Sequence, residues 1–271
     1  GSDEVLVDPH TLSTDLTVSV NFVDYSEDGS LVAYGTRTGG ADELLVKFLN
    51  VDTRKELTDQ LPLARYLGIE VTPDKKGVYY SRFANGVSRV YYHAFGTDNA
   101  SDPLIFGDGY GPEKILSVEL SPDGRWLLLP VYYGWAATKV ELWMKNLAAG
   151  TPVTPIVNDI EARFAPKFGG DLLYVETNWE APHGRIMTIP LASTARSNWK
   201  TVVPEQKDAV IDDFALADGK LFVNYLRNVA SSVKVFKADG KSAGQIEFPA
   251  LGTVGGISGR WDGGEMFFTY T

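Results

Sequence analysis

Six copies of a strand–turn–strand unit, recurring every 44 to 49 residues with no amphipathic helix between them, predict an all-β fold, a β-propeller of four-stranded blades. The tight turns mark the period. Asp74 follows Asp28 by 46 residues, Asp123 follows Asp74 by 49, and Asp262 follows Asp218 by 44. The gap of 95 residues between Asp123 and Asp218 spans two periods. Short strands separated by frequent turn signals, at this repeat length, suit one blade each.

The first copy runs over residues 22–25, a turn over 26–29, and 31–34. The second has strands over 68–71 and 78–80 around a turn at 72–77; the third has 118–120 and 126–129 around 121–124. The fourth has 162–164 and 172–175 around a turn placed at Pro166 to Gly170. The fifth has 214–216 and 221–223 around 217–219, and the sixth 256–258 and 266–268 around 261–264. Aspartate bonds its own nearby backbone in such turns and glycine adopts positive φ without a steric cost, so Asp28, Asp123 and Asp218 read as turn formers. Two further strand-like runs follow the hairpin: residues 89–93 and 103–106 in the second copy, 139–144 and 153–157 in the third.

The ends do not make a whole blade. The sixth copy stops at Thr271 after two strands, while residues 4–9 read as one strand with no partner of its own. An open sheet edge invites pairing with another chain. The expectation is therefore five complete blades and a composite sixth, closed by the N-terminal strand against the C-terminal hairpin. Gly1-Ser2 reads as a cloning scar, and residues 3–271 as a single propeller domain.

Composition bounds the function. With 25 basic and 35 acidic residues the net charge is −10, a poor match to nucleic acid or an anionic membrane. The absence of cysteine excludes a disulfide framework, a thiolate metal site and a cysteine nucleophile. No apolar run is long enough to span a bilayer, and the N-terminus carries no signal peptide, so a cytoplasmic or periplasmic location is expected. No cofactor or metal is expected: there is no phosphate loop, dinucleotide fingerprint or H-E-x-x-H string. The nucleophile elbow G-x-S-x-G is absent as well, Gly255-Gly256-Ile257-Ser258-Gly259 having the wrong spacing. His10, His93 and His183 fall in separate repeats and read as structural or surface residues. The aromatic pairs of the second strands, Tyr79-Tyr80 and Phe267-Phe268, read as packing between blades. Tyr132-Tyr133-Gly134-Trp135 follows a strand and ends in a loop, so it is placed at one mouth of the ring.

Several segments then converge. Asp8-Pro9-His10-Thr11-Leu12 resembles the D-P-N-x-L segment of prolyl oligopeptidases, and residues 22–35 resemble the S-x-D-G-x-x-x-A-Y-G segment that follows it there. Tyr91-Tyr92-His93 through Gly96-Thr97-Asp98 is similar to a Y-x-H-x-x-G-T-x-x-x-x-D stretch, and Val203-Pro204-Glu205 to a V-P-E stretch. The resemblance spans nearly the whole chain. It implies a serine peptidase that cleaves short peptides after proline, in which a seven-bladed propeller covers an α/β-hydrolase domain carrying the serine, aspartate and histidine. None of that triad is in this chain, which lacks about one blade of such a ring.

The resemblance therefore implies a gating and binding domain that is catalytically inert by itself, with the hydrolase domain and short proline-containing peptides as partners. Tyr66 stands where the family has an aromatic residue near bound peptide. Glu141 stands where it tends to have an arginine. With Tyr132, Tyr133 and Trp135 these are the substrate-contact candidates. A free-standing propeller serving as an interaction scaffold is the alternative, and a propeller glycosidase with converging carboxylates is a third reading.

Overall fold

The computed structural model describes residues 4–271; Gly1 and Ser2, the expected scar, lie outside them. The chain is all-β, with twenty-two strands and, among the described residues, only three short 3-10 turns, at Pro9–Thr11, Asn99–Ser101 and Arg196–Asn198. None of these is long and apolar enough to cross a membrane. Two compact units divide it, the first comprising residues 1–137 and 141–158, the second 138–140 and 159–271.

The first unit holds three antiparallel sheets. Sheet 1 is β1 (Val18–Tyr25), β2 (Leu31–Thr38), β3 (Leu44–Asn50) and the beginning of β4 (Lys55–Val71). Sheet 2 is the remainder of β4 with β5 (Gly77–Ala84), β6 (Val87–Ala94) and β7 (Leu104–Phe106). Sheet 3 is β8 (Lys114–Leu116) and β9 (Glu119–Leu120) against β10 (Trp126–Tyr133), then β11 (Val140–Asn146) and β12 (Thr154–Val157). The second unit holds β13 (Phe164–Gly169), β14 (Leu172–Thr177), β15 (Arg185–Pro190) and β16 (Lys200–Val203) as sheet 4. Sheet 5 is β17 (Val210–Ala217), β18 (Lys220–Arg227), β19 (Ala230–Lys237) and β20 (Ser242–Gln245). Sheet 6 is β21 (Val254–Gly259) with β22 (Met266–Tyr270).

Three expectations need correction. Residues 4–8 form no strand and add nothing to sheet 6, which has two strands. Pro9 has no N–H to give a ladder, and Asp8 turns the chain by accepting from the His10 N–H at 2.9 Å. Glu4 instead pairs with Arg54, at the turn between β3 and β4. The fourth turn is also misplaced: Pro166 sits within β13, opposite Val175 of β14, and the chain reverses at Gly170-Asp171. Proline is tolerated there because β13 is an edge strand. Finally, Phe267 and Phe268 are exposed, at 64% and 36%, rather than packed between sheets.

The strand expected over 68–71 is the end of a much longer one, β4, which begins at Lys55. It pairs with β3 as far as Ala64 opposite Leu44, then with β5 from Arg65 opposite Phe83. Irregularities in both registers bend it, so one strand ends sheet 1 and begins sheet 2. Gly68 lets it approach sheet 3, since a Cβ there would lie 2.8 Å from the Val118 nitrogen.

The hairpin turns work as the sequence implies, with one addition. At Asp28, Asp74 and Asp123 a hydroxyl two residues before the aspartate completes the turn. Ser26 Oγ donates to Asp28 Oδ1 at 2.7 Å and accepts the Leu31 N–H at 3.0 Å. Thr72 with Asp74 and Ser121 with Asp123 repeat the first bond at 2.7 Å each. In sheet 5 Asp218 and Gly219 take φ of 50° and 63°, the two-residue reversal that matches the twist of paired strands.

The cores lie between sheets. Leu31 and Ala33 of sheet 1 share one buried cluster with Val78 and Tyr80 of sheet 2. Tyr79, the next residue, points the other way and packs with Leu127, Leu129 and Val131 of sheet 3. In the second unit, Tyr174 of sheet 4 joins Phe214, Leu221 and Val223 of sheet 5.

Ser26 is 2% exposed and its hydroxyl is both donor and acceptor. Ser26→Ala is therefore expected to cost about 1–2 kcal/mol, seen as a lower denaturation midpoint at unchanged slope. Ser30→Ala, which removes an exposed bond to the same carboxylate, should cost less than about 0.5 kcal/mol. Equal losses would show that the buried hydroxyl does not hold the turn.

Candidate functional site

Sheet 3 gathers two of the five substrate-contact candidates around one buried carboxylate. Glu141, on β11, is 5% exposed. Its Oε2 accepts from the Tyr110 hydroxyl at 2.6 Å and from Trp143 Nε1 at 2.9 Å, and its Oε1 accepts from the Tyr133 hydroxyl. Burial pushes the Tyr110 hydroxyl well above the ordinary phenol value, and its bond to Glu141 adds to the shift. Lys114 Nζ lies 3.6 Å from the centre of the Tyr133 ring. The carboxylate thus orders three aromatic side chains around itself, and Tyr133 carries its influence outward.

The other candidates lie elsewhere. Tyr132 follows strand alternation onto the opposite face of β10 from Tyr133, and burial raises its hydroxyl to about 12, with Glu119 adding to the shift. Trp135, in the turn after β10, is 85% exposed. Tyr66 lies on β4, half-buried, with its ring 5.9 Å from that of Tyr80 and its hydroxyl donating to the Pro62 carbonyl.

Each histidine is held by its own neighbours. His93 is buried between two carboxylates, Nδ1 to Asp102 Oδ1 at 2.9 Å and Nε2 to Asp59 Oδ1 at 3.2 Å, and Tyr80 donates to Asp102 Oδ2 at 2.8 Å. This ties β4 to β6 and to the chain entering β7, beside a cleft of about 280 Å³. His10 contacts Asp8, and His183 Nδ1 meets the Gln206 carbonyl at 3.0 Å. Among the described residues no three acidic or imidazole side chains are grouped so as to hold a metal ion.

Sequence reasoning missed an acidic ladder. Asp24, Glu70 and Glu119 occupy the same place in three successive repeats, two residues before Ser26, Thr72 and Ser121. They lie on β1, β4 and β9, and Asp24 Oδ2 accepts the Val71 N–H at 2.7 Å. Burial pushes the Glu70 carboxyl well above its usual value, and Asp24 and Glu119 add their repulsion. Burial raises Asp24 too. The signal was present as an acid at a fixed offset from the turn, but each copy alone reads as an ordinary strand residue.

Comparison with known proteins settles the family. The family model described as the prolyl oligopeptidase N-terminal β-propeller domain matches residues 1–271. The chain belongs to that family. The prolyl endopeptidase of Elizabethkingia miricola is 28% identical over 283 residues, covering 100% of the chain and 39% of the relative. Prolyl oligopeptidase A of Galerina marginata is 25% identical, covering 95% of the chain and 39% of its own length. A solved structure from a study of two prolyl endopeptidases superposes with a TM-score of 0.93 at 27% identity, over all of the chain and 41% of that protein. Prolyl oligopeptidase B of Galerina marginata, at 24% identity and a TM-score of 0.85, shares the fold. The chain spans about two fifths of the length of these relatives.

Two substitutions separate a carboxylate ringed by donors from one crowded by other acids. Glu141→Gln replaces an acceptor of three donors by an amide, at an expected cost of about 1.5–3 kcal/mol in chemical denaturation at neutral pH. Glu70→Gln should do the reverse. Because the folded-state value of Glu70 is raised, the folded protein holds that proton more tightly than the unfolded chain. Stability is then greatest below the ordinary glutamate range and falls as pH rises through the folded-state value. The Gln protein should have the higher midpoint at pH 8, with the gap closing as the pH is lowered to about 4. A gap that widens on acidification would contradict this.

Proposed function

We propose that the chain is the substrate-gating and binding propeller of a post-proline serine peptidase, without catalytic activity of its own. On this reading it covers an α/β-hydrolase domain and admits short proline-containing peptides, which Tyr66, Tyr132, Tyr133 and Trp135 contact, with Glu141 setting the Tyr133 hydroxyl. Its sheets are the blades of the ring, five complete and a sixth represented by β21 and β22. Family membership over a chain that spans two fifths of its relatives supports a peptidase setting.

The observation that carries the reading is a set of strongly exposed apolar side chains on the connections between strands. Turns inside the first hairpins are built from Ser, Thr, Asp and Lys, as at Asp28 and Lys75, which pair at 2.5 Å. Exposed apolar tips gather instead on the connections from second to third strand and from one sheet to the next. In the first unit these are Leu63, 66% exposed, and Trp135, 85% exposed. In the second they are Val229 and Leu251, at 87% and 91%. Exposed apolar tips on such connections suit a surface that meets another domain. The same tips favour the interaction-scaffold alternative if the partner is a different protein.

The test compares three samples in cleavage of a chromogenic short peptide with proline before the scissile bond: the chain, the parent hydrolase domain, and the two mixed. The chain alone should give no turnover above buffer. In the mixture, cleavage of a long unfolded substrate should fall while the short peptide is still cleaved. Trp135→Ser should weaken association with the hydrolase domain about tenfold, close to 1.4 kcal/mol. Turnover by the pure chain, or an unaltered length preference in the mixture, would remove the reading.

A further inference from the structure

Two arginines of the first unit carry a buried nitrogen with no hydrogen-bond partner among the described residues. Arg37 lies on β2 and Arg82 on β5. The registers of both strands are regular here, so Leu31, Ala33, Gly35 and Arg37 share one face of β2, and Val78, Tyr80 and Arg82 share one face of β5. Leu31, Ala33, Val78 and Tyr80 belong to one buried cluster. The two faces therefore pack against each other, and both arginines continue that seam past its apolar part, toward the same strand ends. The Nε atoms of Arg37 and Arg82 are buried without a hydrogen-bond partner, and neither side chain forms an ion pair among the described residues.

Their surroundings are cationic and aromatic. Arg82 stands 4.7 Å from the centre of the Tyr91 ring, and its cross-strand neighbours are Tyr66 and Arg89. Its charge acts on the Tyr66 hydroxyl. Arg89 Nη1 donates to the carbonyls of Ser88 at 2.7 Å and Tyr110 at 3.1 Å. Arg65 Nη2 holds Asp42 at 2.7 Å, while Glu43, also on the β2–β3 loop, joins none of them. Arg82 thus stands opposite Arg89 on paired strands, in a chain whose net charge is −10. Like charges opposite one another on paired strands are destabilising, and so are buried donors left unbonded. An anion between Arg37 and Arg82 relieves both.

We propose that this seam between sheets 1 and 2 binds the C-terminal carboxylate of a short peptide, with Arg82 as its principal partner and Arg37 as the second cation. The planar guanidinium fork matches a carboxylate better than it matches a point charge. Tyr66, a peptide-contact candidate, stands beside Arg82 on the paired strand and supplies the apolar wall. The assignment rests on the peptide-binding reading above and adds an end preference to it: a peptide with a free C-terminus is held, and an amidated one is not.

The test uses the whole chain and needs no variant for its first step. A short proline-containing peptide and its C-terminal amide are titrated in parallel by calorimetry, and acetate is titrated separately while the arginine Nε–H signals are followed by NMR. The free acid should bind about tenfold or more tightly than the amide. Acetate should shift the Arg37 and Arg82 signals and leave that of Arg125, on the Asp123 turn, in place. Arg82→Gln should abolish the preference, and Arg82→Lys should retain part of it. Equal binding of acid and amide, with the Nε signals unmoved by acetate, overturns the carboxylate site while leaving peptide binding intact. If neither peptide binds, the peptide assignment and the peptide-contact reading fall together, whatever acetate does.

Discussion

Strand alternation through stacked sheets is the constraint on which the remainder of the structure depends. Each second strand sends successive side chains into different seams, so adjacent residues have different neighbours and different chemistry. Tyr80 enters the seam with sheet 1 and donates to Asp102, while Tyr79 enters the seam with sheet 3. Tyr133 reaches Glu141, while Tyr132 does not. The same rule brings Arg37 and Arg82, far apart in sequence, into one seam. Phe267 and Phe268, adjacent on β22, point to opposite faces of the two-stranded sheet 6, where Phe267 is the more exposed and Phe268 meets Phe248.

Charges buried along these seams fall into three states. Glu141 has three donors, and its cost of burial is offset by bonds from Tyr110, Tyr133 and Trp143. His93 lies between Asp59 and Asp102, so three groups that would each be expensive alone satisfy one another. Glu70 and Arg82 are the opposite case. Glu70 faces Asp24 and Glu119, its own kind, and Arg82 lies opposite Arg89. Unfavourable arrangements of this sort tend to occur where a protein meets a ligand or partner, since the missing counter-charge then comes from outside.

Much of the fold was legible in the residues themselves. The spacing of Asp28, Asp74, Asp123, Asp218 and Asp262 marks the hairpins because turn chemistry is local: at the first three a hydroxyl and a carboxylate two residues apart hold the turn. The fourth hairpin was misplaced for the same reason in reverse. Pro166 is a strong turn signal, and only its position on an edge strand, invisible in the sequence, lets it sit within a ladder. The site was less legible. Tyr133 and Glu141 were both singled out, but nothing in their spacing showed that one bonds the other, and the acidic ladder emerged only when repeats were stacked.

The sequence by itself determined the repeat, its turns and the family, because each rests on neighbours along the chain or on short strings that survive as strings. Only the tertiary structure decided which side chains share a seam, where β4 passes from one sheet to the next, and which charges lack a counterpart. Those outcomes depend on the packing of faces separated by some 45 residues of chain, and Coulomb forces and burial act through space without regard to that separation.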